Sequence, residues 1–149
     1  MTFYFDTSAL VKLFHEEEGS QTVTRIINSN DNEIWISELA RVEFLSAIFR
    51  RYRNNEIGDK ELRVAIDGFE EQLAFFNVEP LGQAIVREAE SLLKKYGRTK
   101  GLRTLDALQL GTFILILEKD WLFVTTDKLL LEVVQDIGYK AIDPREKKC

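Results

Sequence analysis

Cysteine and histidine are all but missing from this chain. Of its 149 residues one is cysteine, Cys149 at the last position, and one is histidine, His15. No internal disulfide can close, which fits a reducing compartment and leads us to expect a cytoplasmic protein. A thiolate zinc site and a His-rich metal centre are both excluded. His15 alone cannot supply a Ser-His-Asp triad. Proline is scarce, with two residues, and the eight glycines are not clustered. That leaves little room for a flexible linker, and no repeat or low-complexity segment is visible. A single domain over 1–149 is expected, with a polar, frayed tail at 143–149. A long apolar run is lacking too. The longest helical one, 105–117, carries Asp106 and Gln109 and is too short to span a bilayer. No basic segment followed by an apolar run opens the chain, so no signal peptide is apparent. No glycine loop able to cradle phosphate is present, which argues against a nucleotide-driven motor or kinase. An excess of positive charge is absent as well. The formal net charge is -5, which argues against a large non-specific nucleic-acid binder but leaves room for an enzyme with a local basic rim.

What is present is a strong alternation of short apolar strands and helical runs. Phe3-Tyr4-Phe5 reads as a strand ending on Asp6, and the run Ala9 to Phe14 turns helical at once. An apolar strand entering a helix this way suggests a buried parallel strand. Further strands are expected at Glu33 to Ile36, Phe76 to Pro80, Leu122 to Thr125 and Tyr139 to Ile142. Helices are expected at Ser20 to Asn28, Glu38 to Tyr52 with Ser37 as its cap, Lys60 to Phe75 with Asp59 as its cap, Gly82 to Tyr96, Arg103 to Leu117 and Lys128 to Val134. Gly97 to Gly101 reads as a glycine-bounded loop. The helix from Arg103 is apolar nearly all round and should be buried. The pattern predicts a three-layer α/β/α fold with a central parallel sheet of about five strands.

Four acids stand out by position. Asp6 and Asp127 follow the carboxyl ends of predicted parallel strands, where the crevice of an open α/β sheet lies. Glu43 and Asp106 lie on helices next to such ends. Singly each has an ordinary explanation: an exposed glutamate, a first-turn acid, an N-cap. Together in one crevice they would repel one another, and a divalent cation would relieve that repulsion. All-oxygen donors without His or Cys select Mg²⁺ or Mn²⁺, which activates a water and neutralises phosphoryl charge. Ser8 and Thr125 are placed to orient the carboxylates through hydrogen bonds.

The runs Asp6 to Lys12, Ser37 to Glu43, Leu102 to Leu108 and Phe123 to Asp127 resemble the motifs of the PIN domain family. More closely, they are similar to those of VapC-type toxins of toxin–antitoxin pairs, in family order from Phe3 to about Ile142. The resemblance implies a Mg²⁺- or Mn²⁺-dependent endoribonuclease, an antitoxin that occupies the cleft, and a homodimer. By motif match Asp6, Glu43, Asp106 and Asp127 carry over as the catalytic, metal-binding acids. Glu38 also lies in the second motif, but five residues are about 140° round a helix, so it cannot face the same ion as Glu43.

RNA phosphates would meet cations at the rim. Lys94, Lys95, Arg98, Lys100 and Arg103 form one basic run, and Arg50, Arg51 and Arg53 another. Arg98, Lys100, Arg103 and Arg50 are the candidate RNA contacts, against the plainer reading of solvated helix ends. His15 is placed at the rim, and Phe69, Phe75 and Phe76 in the core or a dimer contact. Two other classes compete with the nuclease: a phosphoacceptor receiver module, which lacks here its paired acids at the first strand end, and a catalytically silent binding module of the same fold.

Overall fold

The strand β1, Thr2–Phe5, lies at the centre of the sheet, and three of its residues, Phe3, Tyr4 and Phe5, are large rings better placed away from water. Tyr4 and Phe5 are fully buried, Phe3 nearly so, and a strand covered on both faces reads as an unbroken apolar run. The computed structural model describes residues 1–146. It shows five strands: β1, β2 (Glu33–Ser37), β3 (Asn77–Glu79), β4 (Leu122–Val124) and β5 (Lys140–Ile142). All neighbours pair in parallel, in the order β3-β2-β1-β4-β5. Seven helices fill the connections: α1 (Thr7–Leu10), which runs on as a 3₁₀ turn over Val11–Leu13, α2 (Ser20–Asn28), α3 (Leu39–Arg53), α4 (Asp59–Gln72), α5 (Gln83–Lys100), α6 (Thr104–Ile116) and α7 (Lys128–Ile137).

Strand alternation sorts the core into two layers. Phe3 and Phe5 join Leu10, Val23, Ile36, Phe44 and Phe69 under the first four helices. Tyr4 points the other way, to Leu110, Phe113, Phe123 and Val133 under the last three. The architecture is three-layered α/β/α. The strands on one side of β1, namely β2 and β3, precede in sequence those on the other side, β4 and β5. The order therefore reverses between β1 and β4, and in open α/β sheets a crevice opens at the carboxyl ends of such a pair. The amide of Asp6 donates to the carbonyl of Val124 at 3.1 Å, which fixes the two strand ends side by side. A receiver module has the order 2-1-3-4-5, so this sheet excludes it.

Several local expectations are corrected. Helix α5 passes through Gly97 and stops at Gly101, whose φ of 68° is the left-handed cap conformation. Gly58, not Asp59, precedes α4, and the Asp59 carboxylate accepts instead from the Tyr52 hydroxyl at 2.8 Å. Helix α6 is not buried all round, since Leu105 and Leu115 face outward. Its other side packs closely on α5: a Cβ at Gly111 would lie 3.3 Å from the Ala89 amide nitrogen. The first part of the supposed frayed tail is held in place. Asp143 is buried, and Arg145 binds both it and the Thr126 carbonyl, each at 2.6 Å. Positions 147–149 of that tail lie outside the described residues. Among the described residues no helix is long and apolar enough to cross a membrane.

Candidate active site

Asp6 terminates β1 at the strand reversal, so the chain delivers a carboxylate straight into the crevice. It is 5 % exposed. Its Oδ1 accepts from the Ser8 hydroxyl at 2.7 Å and the Ala9 amide at 3.0 Å, the latter capping α1. Its Oδ2 accepts from the Thr125 hydroxyl at 2.5 Å. Burial pushes the carboxyl up to about 7 despite these three donors, and the charge of Glu43 adds to the rise. Ser8 also accepts from the Thr126 amide at 3.1 Å, and Thr125 from the Asp127 amide at 3.0 Å. The loops after β1 and β4 are thus laced together around one carboxylate.

Glu43 projects from the first half of α3. Its Oε1 accepts from Gln109 Nε2 at 2.7 Å and from the Thr7 hydroxyl at 3.0 Å. Burial raises its carboxyl and the charge of Asp106 adds to that, while the two donors oppose it. Gln109 is itself buried, and its Oε1 accepts from the Tyr4 hydroxyl at 2.7 Å. A carboxylate only accepts, so the amide nitrogen must face Glu43 and its oxygen must face the phenol. Asp106 lies one turn earlier on α6, on the same face as Gln109. Burial raises it too, helped by the charge of Asp127 and opposed by Arg103. Asp127 caps α7, its Oδ1 accepting from the Leu130 amide at 3.1 Å. Arg103 then spans the pair, with Nε 3.1 Å from Asp106 and Nη2 2.6 Å from Asp127.

All four acids line one cleft of about 600 Å³, together with Thr7, Ser8, Ser46, Arg50, Arg51, Arg103 and Gln109. Their mutual repulsion runs as a series, Asp6 to Glu43 to Asp106 to Asp127. Yet among the described residues no three acidic, His or Cys side chains are gathered closely enough to hold one ion. Thr7 and Gln109 hold Glu43, and the Arg103 guanidinium holds Asp106 and Asp127. The donor set itself, carboxylate oxygens of which Asp6, Glu43 and Asp106 are raised in proton affinity by burial, has the chemistry of a hard divalent cation site. The oxygen-only donors match the chemistry of Mg²⁺ or Mn²⁺, and drawing three of them round one ion would require Arg103 and Glu43 to change partners.

The basic candidates divide. Arg50 lines the cleft, and Arg103 reaches it only to pair with acids. Lys100 is drawn off to Glu132 and Asp136, at 3.0 and 3.3 Å, and neither it nor Arg98 lines the cleft. Thr7 and Gln109 were not singled out as site residues from sequence. Gln109 did carry a signal, as an amide inside an apolar helix three residues after an acid. The i, i+3 spacing of Arg103 and Asp106 was an equally readable sign of pairing.

The sequence model described as PIN domain matches residues 3–134. Similar solved structures include a toxin–antitoxin complex from Klebsiella pneumoniae, with TM-score 0.64 at 19% identity over 97% of this chain and 98% of that one. The DNA-bound VapBC of Salmonella typhimurium gives 0.66 at 15% identity, over 97% and 98% of the two chains. VapC20 of Mycobacterium tuberculosis, a sarcin–ricin loop cleaving toxin, gives 0.68 at 17% identity, over 92% and 95%. At such identities these likenesses concern the fold alone. No curated protein matches the chain. With the strand order, the crevice and its acids in place and the family match running from β1 into α7, the chain belongs to the PIN domain family.

Proposed function

We propose that this protein is a Mg²⁺- or Mn²⁺-dependent endoribonuclease and the toxin of a toxin–antitoxin pair. One observation carries the reading: four carboxylates from distant parts of the chain line a single cleft, around a buried Asp6 whose proton affinity is raised to about 7. An array of that kind calls for a cation, and His15 is not among its lining residues. Asp6, Glu43, Asp106 and Asp127 would hold the ion. Bound there, it supplies an activated water and neutralises charge on the phosphodiester.

The chain's own groups have definable parts. Ser8 and Thr125 keep both Asp6 oxygens oriented by donating to them. Thr7 and Gln109 engage only Oε1 of Glu43, which leaves Oε2 for the cleft. Arg103 turns away from Asp106 and Asp127, and its guanidinium then faces the RNA backbone alongside Arg50. An antitoxin segment placed over the same cleft would close it, and a homodimer and a cytoplasmic location complete the family expectation.

The test is cleavage of RNA by antitoxin-free protein. Cutting should require Mn²⁺ or Mg²⁺, stop with chelator, and vanish in Asp6→Asn and Asp106→Asn. Full cleavage by the double variant would overturn the site. A catalytically silent binding module draws support from the absence, among the described residues, of three acids grouped closely enough to hold an ion. A calorimetric titration with no Mn²⁺ uptake would favour it.

A further inference from the structure

The cleft has a second pole. On α3, Arg50 and Arg51 follow Glu43 by seven and eight residues, which places them about 11 Å further along the helix axis, Arg50 about 20° and Arg51 about 80° round from it. Both line the cleft. Arg51 differs from its neighbour in being held. Its Nη1 donates to the Ala47 carbonyl at 3.2 Å, and its Nη2 lies 3.3 and 3.4 Å from the two oxygens of Glu17. Its side chain keeps only 22% exposure. Glu17 is held in turn by Lys12 at 3.0 Å, and Lys12 is a nearly buried lysine with 6% exposure. Burying an ammonium is costly unless it is paired, so the arrangement defines where the Glu17 carboxylate stands. The hydrogen bond from Lys12 and the charge of Arg51 outweigh burial and keep Glu17 ionised. His15 Nε2 approaches the same carboxylate at 3.9 Å.

Two N–H groups of the Arg51 guanidinium, Nε–H and the second on Nη1, have no partner among the described residues. These two N–H groups point from different sides of the guanidinium, so each can meet one phosphate oxygen, while the shared Nη2 stays with Glu17 and holds the positive charge in place. The wall chemistry agrees. Among the described residues no aromatic ring lines the cleft, so the walls offer bases no stacking platform and suit the sugar-phosphate backbone instead.

We infer that Arg51 is a substrate-positioning residue, a preset clamp for an RNA phosphate next to the one at the acidic pole, aimed by the Lys12–Glu17 pair. This rests on the nuclease reading and adds a direction to it: the RNA backbone runs along α3 from Glu43 towards Arg51. The plainer alternative is a brace joining α3 to the segment after α1. A brace affects folding, whereas a clamp affects RNA binding and its salt dependence.

The experiment measures binding of a short, labelled single-stranded RNA in chelator by fluorescence anisotropy, and cleavage with Mn²⁺ in parallel. Arg51→Ala should weaken binding and raise KM several-fold with kcat little changed. It should also reduce the slope of log affinity against log salt by about 0.7, the share of one phosphate on a single strand. Arg51→Lys should recover the slope but only part of the affinity. Glu17→Gln removes a negative charge, which by simple attraction would strengthen binding; loss of aim should weaken it instead. Unaltered affinity and slope in Arg51→Ala, with only the melting temperature lowered, would establish the brace. Tighter binding by Glu17→Gln would remove the positioning role. Wild-type protein that neither binds nor cuts RNA would overturn the nuclease reading itself, whereas active wild type with unaffected variants overturns the clamp alone.

Discussion

The hydroxyl of Tyr4 and the side-chain oxygen of Gln109, 105 residues apart in the chain, meet at 2.7 Å in the buried core. That contact sets which way the amide points, and so gives Glu43 a donor. Tyr4→Phe leaves the Gln109 oxygen buried without a partner, at a cost of about 1–3 kcal/mol. It also frees the amide to turn. We expect a lower urea midpoint and, if Glu43 holds an ion as proposed, cleavage reduced about ten-fold or more, the usual scale for groups that orient a metal ligand. Gln109→Leu should be worse on both counts. Full activity in Tyr4→Phe would show that the amide needs no orienting.

The titration of Asp6 gives a stability prediction with a definite sign. Folding moves its carboxyl from an ordinary 3.8 to about 7. Between those values the folded protein holds a proton that the unfolded chain has released, so stability falls as pH rises through this window and levels off above it. Glu43 and Asp106 are shifted the same way and deepen the fall. Glu17 and Asp143 are shifted down, and the stability they add is lost only in more acid solution. Without divalent cations, urea unfolding at about pH 8 should show stability lower than at about pH 5, by on the order of a few kcal/mol. Saturating Mn²⁺ should flatten the decline by binding only the folded form. Stability that rose across this range would contradict the assigned burial of Asp6.

Arg103 occupies the position of a cation between Asp106 and Asp127. Any ion drawing on those two acids must displace it. Arg103→Ala should therefore take up Mn²⁺ more tightly, by a few-fold in calorimetry, while cutting RNA with a higher KM because a phosphate contact is gone. Equal or weaker uptake would mean that the guanidinium does not compete for the site.

Much of this was legible in the residues because it depended on nearest neighbours. The apolar run Phe3 to Phe5 followed by a carboxylate was enough to place Asp6 at a buried strand end, and Ser20 to Asn28 is a helix at its expected bounds. What escaped notice depended on distant partners or on backbone choice. Gly97 and Gly101 look alike as helix stops. Only the second adopts the left-handed conformation, and α5 tolerates the first at about 1 kcal/mol relative to alanine. Gln109 seemed no more than a polar interruption, since Tyr4 and Glu43 reach it from far away in sequence. The apolar sweep of α6 could not say which leucines would face outward. Lys100 and Arg103 read as free cations until the fold brought Glu132, Asp136 and Asp127 to them.

The bond from Thr125 to Asp6 spans 119 positions and ties one of the last strands to the first. During synthesis Asp6 is therefore made well before its partner. A nascent fragment ending short of β4 lacks Thr125 and Asp127 and cannot assemble the cleft. Until the turn after β4 has been made, Asp6 and Glu43 stand without Thr125 and Asp127 beside them.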